Sequence, residues 1–191
     1  RRLLLLLHAL ALTSAQIVFS PPPPSPPCVY PVPGHPDTHY DLTPLQSQAG
    51  DIEVTSTDGS NNKFFVHVCN KPTTTCTVDQ CPQGCSVGSG DDSAGTNTWA
   101  SGTGNTCAGI GTFSSAVWSL QNPADANGGV QVTFTGGDAT PDDPTKTRSA
   151  VVKFVCTDDN RARGKGAQET PAGSLHYEIS IGAAACAIGP K

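Results

Sequence analysis

A chain of 191 residues carries 11 Lys and Arg against 16 Asp and Glu, a formal net charge of −5 with only 14% charged residues. Without clustered Lys and Arg there is no surface for a phosphate backbone, so nucleic acid is not an expected partner. The length and the 36% hydrophobic content suit one domain with short appendages.

The first predicted element is RRLLLLLHALALTSA. Two arginines, a short apolar run and small residues form the layout of a secretory signal peptide over residues 1–20, cleaved after Ala15 or Ser20. The run at 3–12 is too short to span a bilayer. No Met opens the chain, so the true start is expected upstream. PPPPSPP at 21–27 favours polyproline II and reads as a stiff spacer.

Strands dominate the remaining chain. DIEVTST (51–57) alternates Ile52 and Val54 against Glu53 and Thr55, and KFFVHVC (63–69) comes after the turn DGSNN, so the pair reads as a hairpin. The stretch 73–111 is rich in Gly, Ser and Thr and holds four cysteines; it reads as long loops tied by bridges. A short helix is predicted near 113–120. GGVQVTFTGGD (128–138), RSAVVKFVC (148–156) and SLHYEISIG (174–182) complete the strands. The basic group Arg161, Arg163 and Lys165 lies in a predicted glycine-containing, solvated loop. Short strands between Gly, Pro and Asp turns predict an all-β sandwich or flattened barrel.

The eight cysteines are 28, 69, 76, 81, 85, 107, 156 and 186. Behind a signal peptide an even count predicts disulfides. Zinc held by Cys76, Cys81, Cys85 and Cys107 is disfavoured because CxxC knuckles are absent. Asp142, Asp143, Asp158 and Asp159 sit in turns, GDDSAG (90–95) lacks EF-hand spacing, and His67 and His176 belong to no nucleophile motif. No enzyme, cofactor or metal is expected. Asn105-Thr-Cys is only a weak glycosylation acceptor. The chain stops at AACAIGPK, which fits either a soluble protein or a membrane anchor lying beyond residues 188–191.

Five motifs occur in order between residues 28 and 187: YDL-x-PL at 40–45, a strand ending at Cys69, the TGGD strand, Arg148 eight residues before Cys156, and a final tyrosine strand ending AC at Cys186. This order resembles the mannose 6-phosphate receptor homology domain. The resemblance implies a flattened β-barrel of two crossed, mostly antiparallel sheets, stabilised by disulfides. It also implies a mannose site of four side chains: Gln, Arg, Glu and Tyr. The chemistry fits, because sugar hydroxyls both donate and accept, and a site that pairs them rejects epimers that leave its polar groups unpaired.

On that resemblance Arg148 and Tyr177 are the arginine and tyrosine. Alternation puts Arg148 on the face of Ala150, Val152 and Phe154; Tyr177 shares the Leu175, Ile179 and Ile181 face, where a core tyrosine would also fit. Glu169 is the candidate glutamate, in a loop. The family's glutamine directly follows a cysteine, but here Cys107 precedes Ala108 and Cys85 precedes Ser86. Either Gln83 or Gln80 takes the role, or the amide is absent. The implied bridges are Cys28–Cys69 and Cys156–Cys186, with two more among Cys76, Cys81, Cys85 and Cys107. A family bridge between the arginine and tyrosine strands has no counterpart, since Ala139 and Leu175 stand near its positions.

The implied function is a lumenal receptor domain that sorts glycoproteins by mannose or mannose 6-phosphate type N-glycans. The implied place is the secretory pathway: the ER lumen, or the lumenal side of Golgi or endosomal membranes. The alternative is a non-lectin domain of the same fold in a membrane trafficking or autophagy-related sorting protein, which the missing glutamine and bridge favour.

Overall fold

Alternation of buried and exposed side chains sets the strands. Ile52 and Val54 turn inward while Glu53 and Thr55 face water, and Val130, Val132 and Phe134 repeat the pattern. The computed structural model describes residues 28–74, 76, 92–101, 104–140, 142–159, 161–184 and 186–189. The signal peptide, the spacer, Gln80, Gln83, Cys81, Cys85 and the last two residues lie outside that set.

The strands among the described residues are β1 (Val29–Pro31), β2 (His39–Asp41), β3 (Ile52–Thr55), β4 (Lys63–Val66), β5 (Gly95–Ser101) and β6 (Gly104–Gly109), followed by β7 (Val117–Leu120), β8 (Val130–Phe134), β9 (Ser149–Cys156), β10 (Arg163–Glu169), β11 (His176–Ala183) and β12 (Ala187–Ile188). One helical turn, α1 (Thr43–Gln46), has Pro44 near its N-terminus and buries Leu45; the missing proline N–H costs nothing at that end of a helix.

The protein is all-β, as expected, but in place of a flattened barrel of two crossed sheets the described residues form three sheets that do not close into a barrel. One has the order β10-β11-β9-β8-β7, the second β3-β4-β5-β6, the third β1-β2-β12. Pairing is antiparallel except between β9 and β11. The first two sheets enclose the core, in which Phe64, Val54, Val130, Ile179 and Ile181 are fully buried.

The reason for incomplete closure lies at the sheet edges. β10 meets β3 through a single parallel bridge, Ser56 to Ala167, backed by Thr57 N donating to Ala167 O at 2.8 Å. The ladder of β10 with β11 shifts register between Gly164 and Gly166. Gly164 is required there, because a Cβ would collide with the Glu53 carbonyl of β3. On the other side β6 and β7 do not pair. The end of β6 and the segment after it bond instead to the segment after β8: Asp138 N to Gly109 O at 2.9 Å, and Thr112 N to Thr135 O at 2.8 Å.

Three sequence expectations change. Residues 163–169, expected as a loop, form β10; only Ala167 on it is buried, so no apolar alternation signals it. Within 73–111, expected as loops, β5 and β6 form an antiparallel hairpin in which every residue but Trp99 is small or polar. The region 113–120 is not a helix. A 3-10 turn at Phe113–Ser115 leads into β7, whose exposed edge is a poor match to a helical stripe.

The small third sheet packs through Tyr40, which is fully buried. Its hydroxyl donates to Ala126 O at 2.8 Å and accepts from Gly129 N at 3.0 Å. Burial pushes the Tyr40 pKa up, against the Gly129 hydrogen bond. Disulfides join Cys28 to Cys69, Cys156 to Cys186, and Cys76 to Cys107, with Cα separations of 5.3, 4.8 and 5.5 Å.

Asp51 fastens the start of the cysteine-bearing region. Its carboxylate accepts from Thr73 N at 2.9 Å, Thr73 Oγ1 at 3.1 Å and Thr74 N at 2.5 Å. Burial alone would raise its pKa, but these hydrogen bonds outweigh it and hold it below the ordinary carboxylate value. The folded pKa is therefore the lower one. The contribution is present above about pH 4 and is lost as pH falls through the folded pKa. Asp51→Asn should cost about 1 kcal/mol near neutrality, discounted for partial exposure, and should flatten acid destabilisation. Urea titrations of both proteins between pH 6 and 2 check this; parallel curves would show that the carboxylate contributes nothing.

Candidate functional site

The topology of the five-stranded sheet gathers three side chains that are far apart in sequence. Because β9 and β11 run parallel, their first residues lie at the same end. Because β10 runs antiparallel to β11, its last residue lies there too. The register sets Glu169 opposite Tyr177, and Tyr177 opposite Ala150. Arg148, immediately before β9, Glu169 and Tyr177 therefore meet at one end of the sheet.

Arg148 is only 6% exposed. Its backbone pairs with the strand-like segment after β8: its N donates to Asp138 O at 3.1 Å and its O accepts from Gly137 N at 2.9 Å. Its Nη1 donates to Asp138 O at 3.0 Å and Ala139 O at 2.9 Å. Such charge-assisted hydrogen bonds fix a guanidinium better than a solvated arginine. The expectation that Arg148 leaves the apolar face of β9 agrees with burial of Ala150, Val152 and Phe154.

Tyr177 is buried beside Phe64 of β4, with ring centroids 5.2 Å apart at 58°. Burial pushes its hydroxyl pKa up. The Arg148 charge and a hydrogen bond with Arg148 pull it down, and the Glu169 carboxylate pushes it up again. Arg148 and Glu169 thus both act on the Tyr177 hydroxyl. Glu169 is the end of a strand, not a loop residue, and its Oε1 accepts from Leu175 N at 2.6 Å. Leu175 turns with φ of 62°, a left-handed conformation uncommon for leucine, and its carbonyl accepts from Ser149 N at 3.0 Å. Near Ala139 and Leu175 the strand that begins after Arg148 is held by backbone bonds from Arg148 N to Asp138 O and from Ser149 N to Leu175 O, and by the Arg148 side chain on Ala139 O.

Gln83 lies outside the described residues. Two polar residues that sequence reasoning passed over stand in this region. Asp138 is 5% exposed, and its Oδ2 accepts from Gly109 N at 2.7 Å. Its signal was the TGGD motif, which placed the turn but gave the aspartate no task. Asn97 on β5 is 2% exposed and lies directly opposite Ala108, the residue after Cys107. A small apolar cleft bounded by Val66, Phe113, Trp118, Val132 and Phe154 includes none of the three clustered side chains.

Neither a protein-family model nor a curated protein sequence matches the chain. Among solved structures it is similar to chicken IGF2R domain 11, with a TM-score of 0.48 and 15% identity over 83% of this chain and 90% of that one. It is also similar to domain 11 of the echidna mannose 6-phosphate/IGF2R receptor in solution, with a TM-score of 0.49 and 16% identity over 86% of this chain and 96% of that one.

Proposed function

We propose that this is a carbohydrate-binding domain that takes mannose-type glycans of glycoproteins at the end of the five-stranded sheet. The observation that carries the reading is that strand register brings the buried, anchored Arg148, Tyr177 and Glu169 to one end of the sheet. A fixed guanidinium donates, a carboxylate accepts and a phenol does both, which is the complement that vicinal sugar hydroxyls need. The three disulfides among the described residues fit an oxidising compartment. Sorting glycoproteins in the secretory lumen, on the Golgi, endosomal or ER side of a membrane, is the cellular role this reading suggests.

A non-lectin sorting domain is the second reading. It is favoured by one observation: the Nη1 of Arg148 already holds two carbonyls, so the arginine has a structural task with or without a ligand. A glycan array with the full oxidised chain separates the readings. Retention of mannose-terminated glycans, with or without phosphate, supports a lectin. A folded sample that retains no glycan leaves the non-lectin reading standing.

A further inference from the structure

The buried amide of Asn97 has no evident structural task. On β5 it stands opposite Phe64 of β4 on one side and Ala108 of β6 on the other. Residues directly opposed across a ladder share a face, and Phe64 and Ala108 are 2% and 4% exposed. Asn97 therefore projects into the interior, from the strand beside Phe64, whose ring lies against Tyr177. Its Oδ1 is buried and accepts no hydrogen bond among the described residues. Buried polar atoms are nearly always paired, and one left alone weakens a fold. An apolar or β-branched residue would fill this strand position without that loss.

We propose that Asn97 is a fourth ligand-contacting residue of the sugar site, its amide oxygen accepting a hydrogen bond from a ring hydroxyl. This rests on the carbohydrate-binding reading and adds what that site lacks. Arg148 supplies donors, the Tyr177 hydroxyl either donates or accepts, and of the two Glu169 oxygens Oε1 is already engaged by the Leu175 N–H. A ligand whose hydroxyls each bring a proton to donate needs another acceptor. Asn97 supplies it from β5, the strand beside Phe64, whose ring lies against Tyr177. The orphaned oxygen is then a group kept for a ligand at some loss of stability.

The test titrates methyl α-mannopyranoside into the full oxidised chain, into Arg148→Lys and into Asn97→Val, with thermal unfolding of each. Valine removes the amide and suits a buried strand. The expected result is binding by the wild type, loss in Arg148→Lys, and affinity at least about tenfold weaker in Asn97→Val, with a Tm equal to or above that of the wild type. Unchanged mannoside affinity in Asn97→Val overturns the assignment while leaving the sugar site in place. Weaker binding together with a Tm lowered by several degrees makes the amide structural and also overturns it. A folded wild type that ignores the mannoside removes the carbohydrate reading and the assignment together.

Discussion

Replacing Arg148 with alanine should lower the unfolding free energy by about 3 kcal/mol and abolish glycan retention. The side chain is buried, with 6% exposure, it bonds the carbonyls of Asp138 and Ala139, and its charge acts on the Tyr177 hydroxyl. Alanine leaves both carbonyls without that partner and empties the space the side chain filled. Each loss is worth about 1–3 kcal/mol when the group stays buried, and partial collapse or entry of water recovers some of it. For a domain of this size the shift in Tm is about 6–12 °C. Arg148→Lys separates anchoring from recognition. An ammonium can still donate to the two carbonyls, so much of the stability should return. It is a point charge without the planar fork, and it cannot serve both carbonyls and a ligand hydroxyl in the same geometry. Binding should stay lost. Urea unfolding beside the glycan array measures both. A loss below about 1 kcal/mol in the alanine variant would show the anchor to be slack. Full binding by the lysine variant would show that Arg148 only braces the 136–139 segment.

What the sequence discloses here depends on whether a strand's reason is in its own residues. β3, β8, β9 and β11 carry alternating apolar side chains, and the sequence places them within a few residues of their ends. β4 is legible from its β-branched and aromatic run. β10 is different. Its RGKGAQE is extended because β11 pairs along one edge and β3 approaches the other, and its glycines answer backbone contacts made by residues far away. β5 and β6 are extended for a similar reason, since β4 provides the first rung of their sheet. No local pattern records such partners. The site divides the same way. Arg148 and Tyr177 lie on or beside legible strands, and their motif resemblance placed them. The place of Glu169 opposite Tyr177 needs the register of the β10–β11 hairpin. The inward face of Asn97 needs the pairing of β4 with β5, and that pairing is invisible in GTNTWAS.

Removing the Cys28–Cys69 bridge by a double alanine substitution should cost about 4 kcal/mol in the chain-entropy account of a 41-residue separation. That is a large part of the roughly 5–15 kcal/mol that holds a typical domain, and it corresponds to a fall in Tm of about 8–16 °C. The loss should not be spread evenly. The third sheet is built from strands of three, three and two residues, too short to persist by their own ladder bonds. Its edges are pinned at Cys28, just before β1, and at Cys186, just before β12. Between the two pins Tyr40 on β2 and Leu42 just after it reach the core as fully buried residues. With one pin gone, amides of β1 and β2 should exchange faster than those of β9 and β11, which remain sandwiched in the main sheet. Hydrogen exchange of the double variant under oxidising conditions reads this directly. Uniform acceleration across all strands would mean that the bridge stabilises the chain only by restricting its unfolded state. Faster exchange confined to β1, β2 and β12 would mean that it also holds the small sheet onto the core. The position of Cys28 directly before β1, on an edge that only β2 covers, makes the second outcome the expected one at β1. At β2 the burial of Tyr40 and its two hydrogen bonds to the 126–129 turn should temper the effect, leaving its exchange between that of β1 and that of the main sheet.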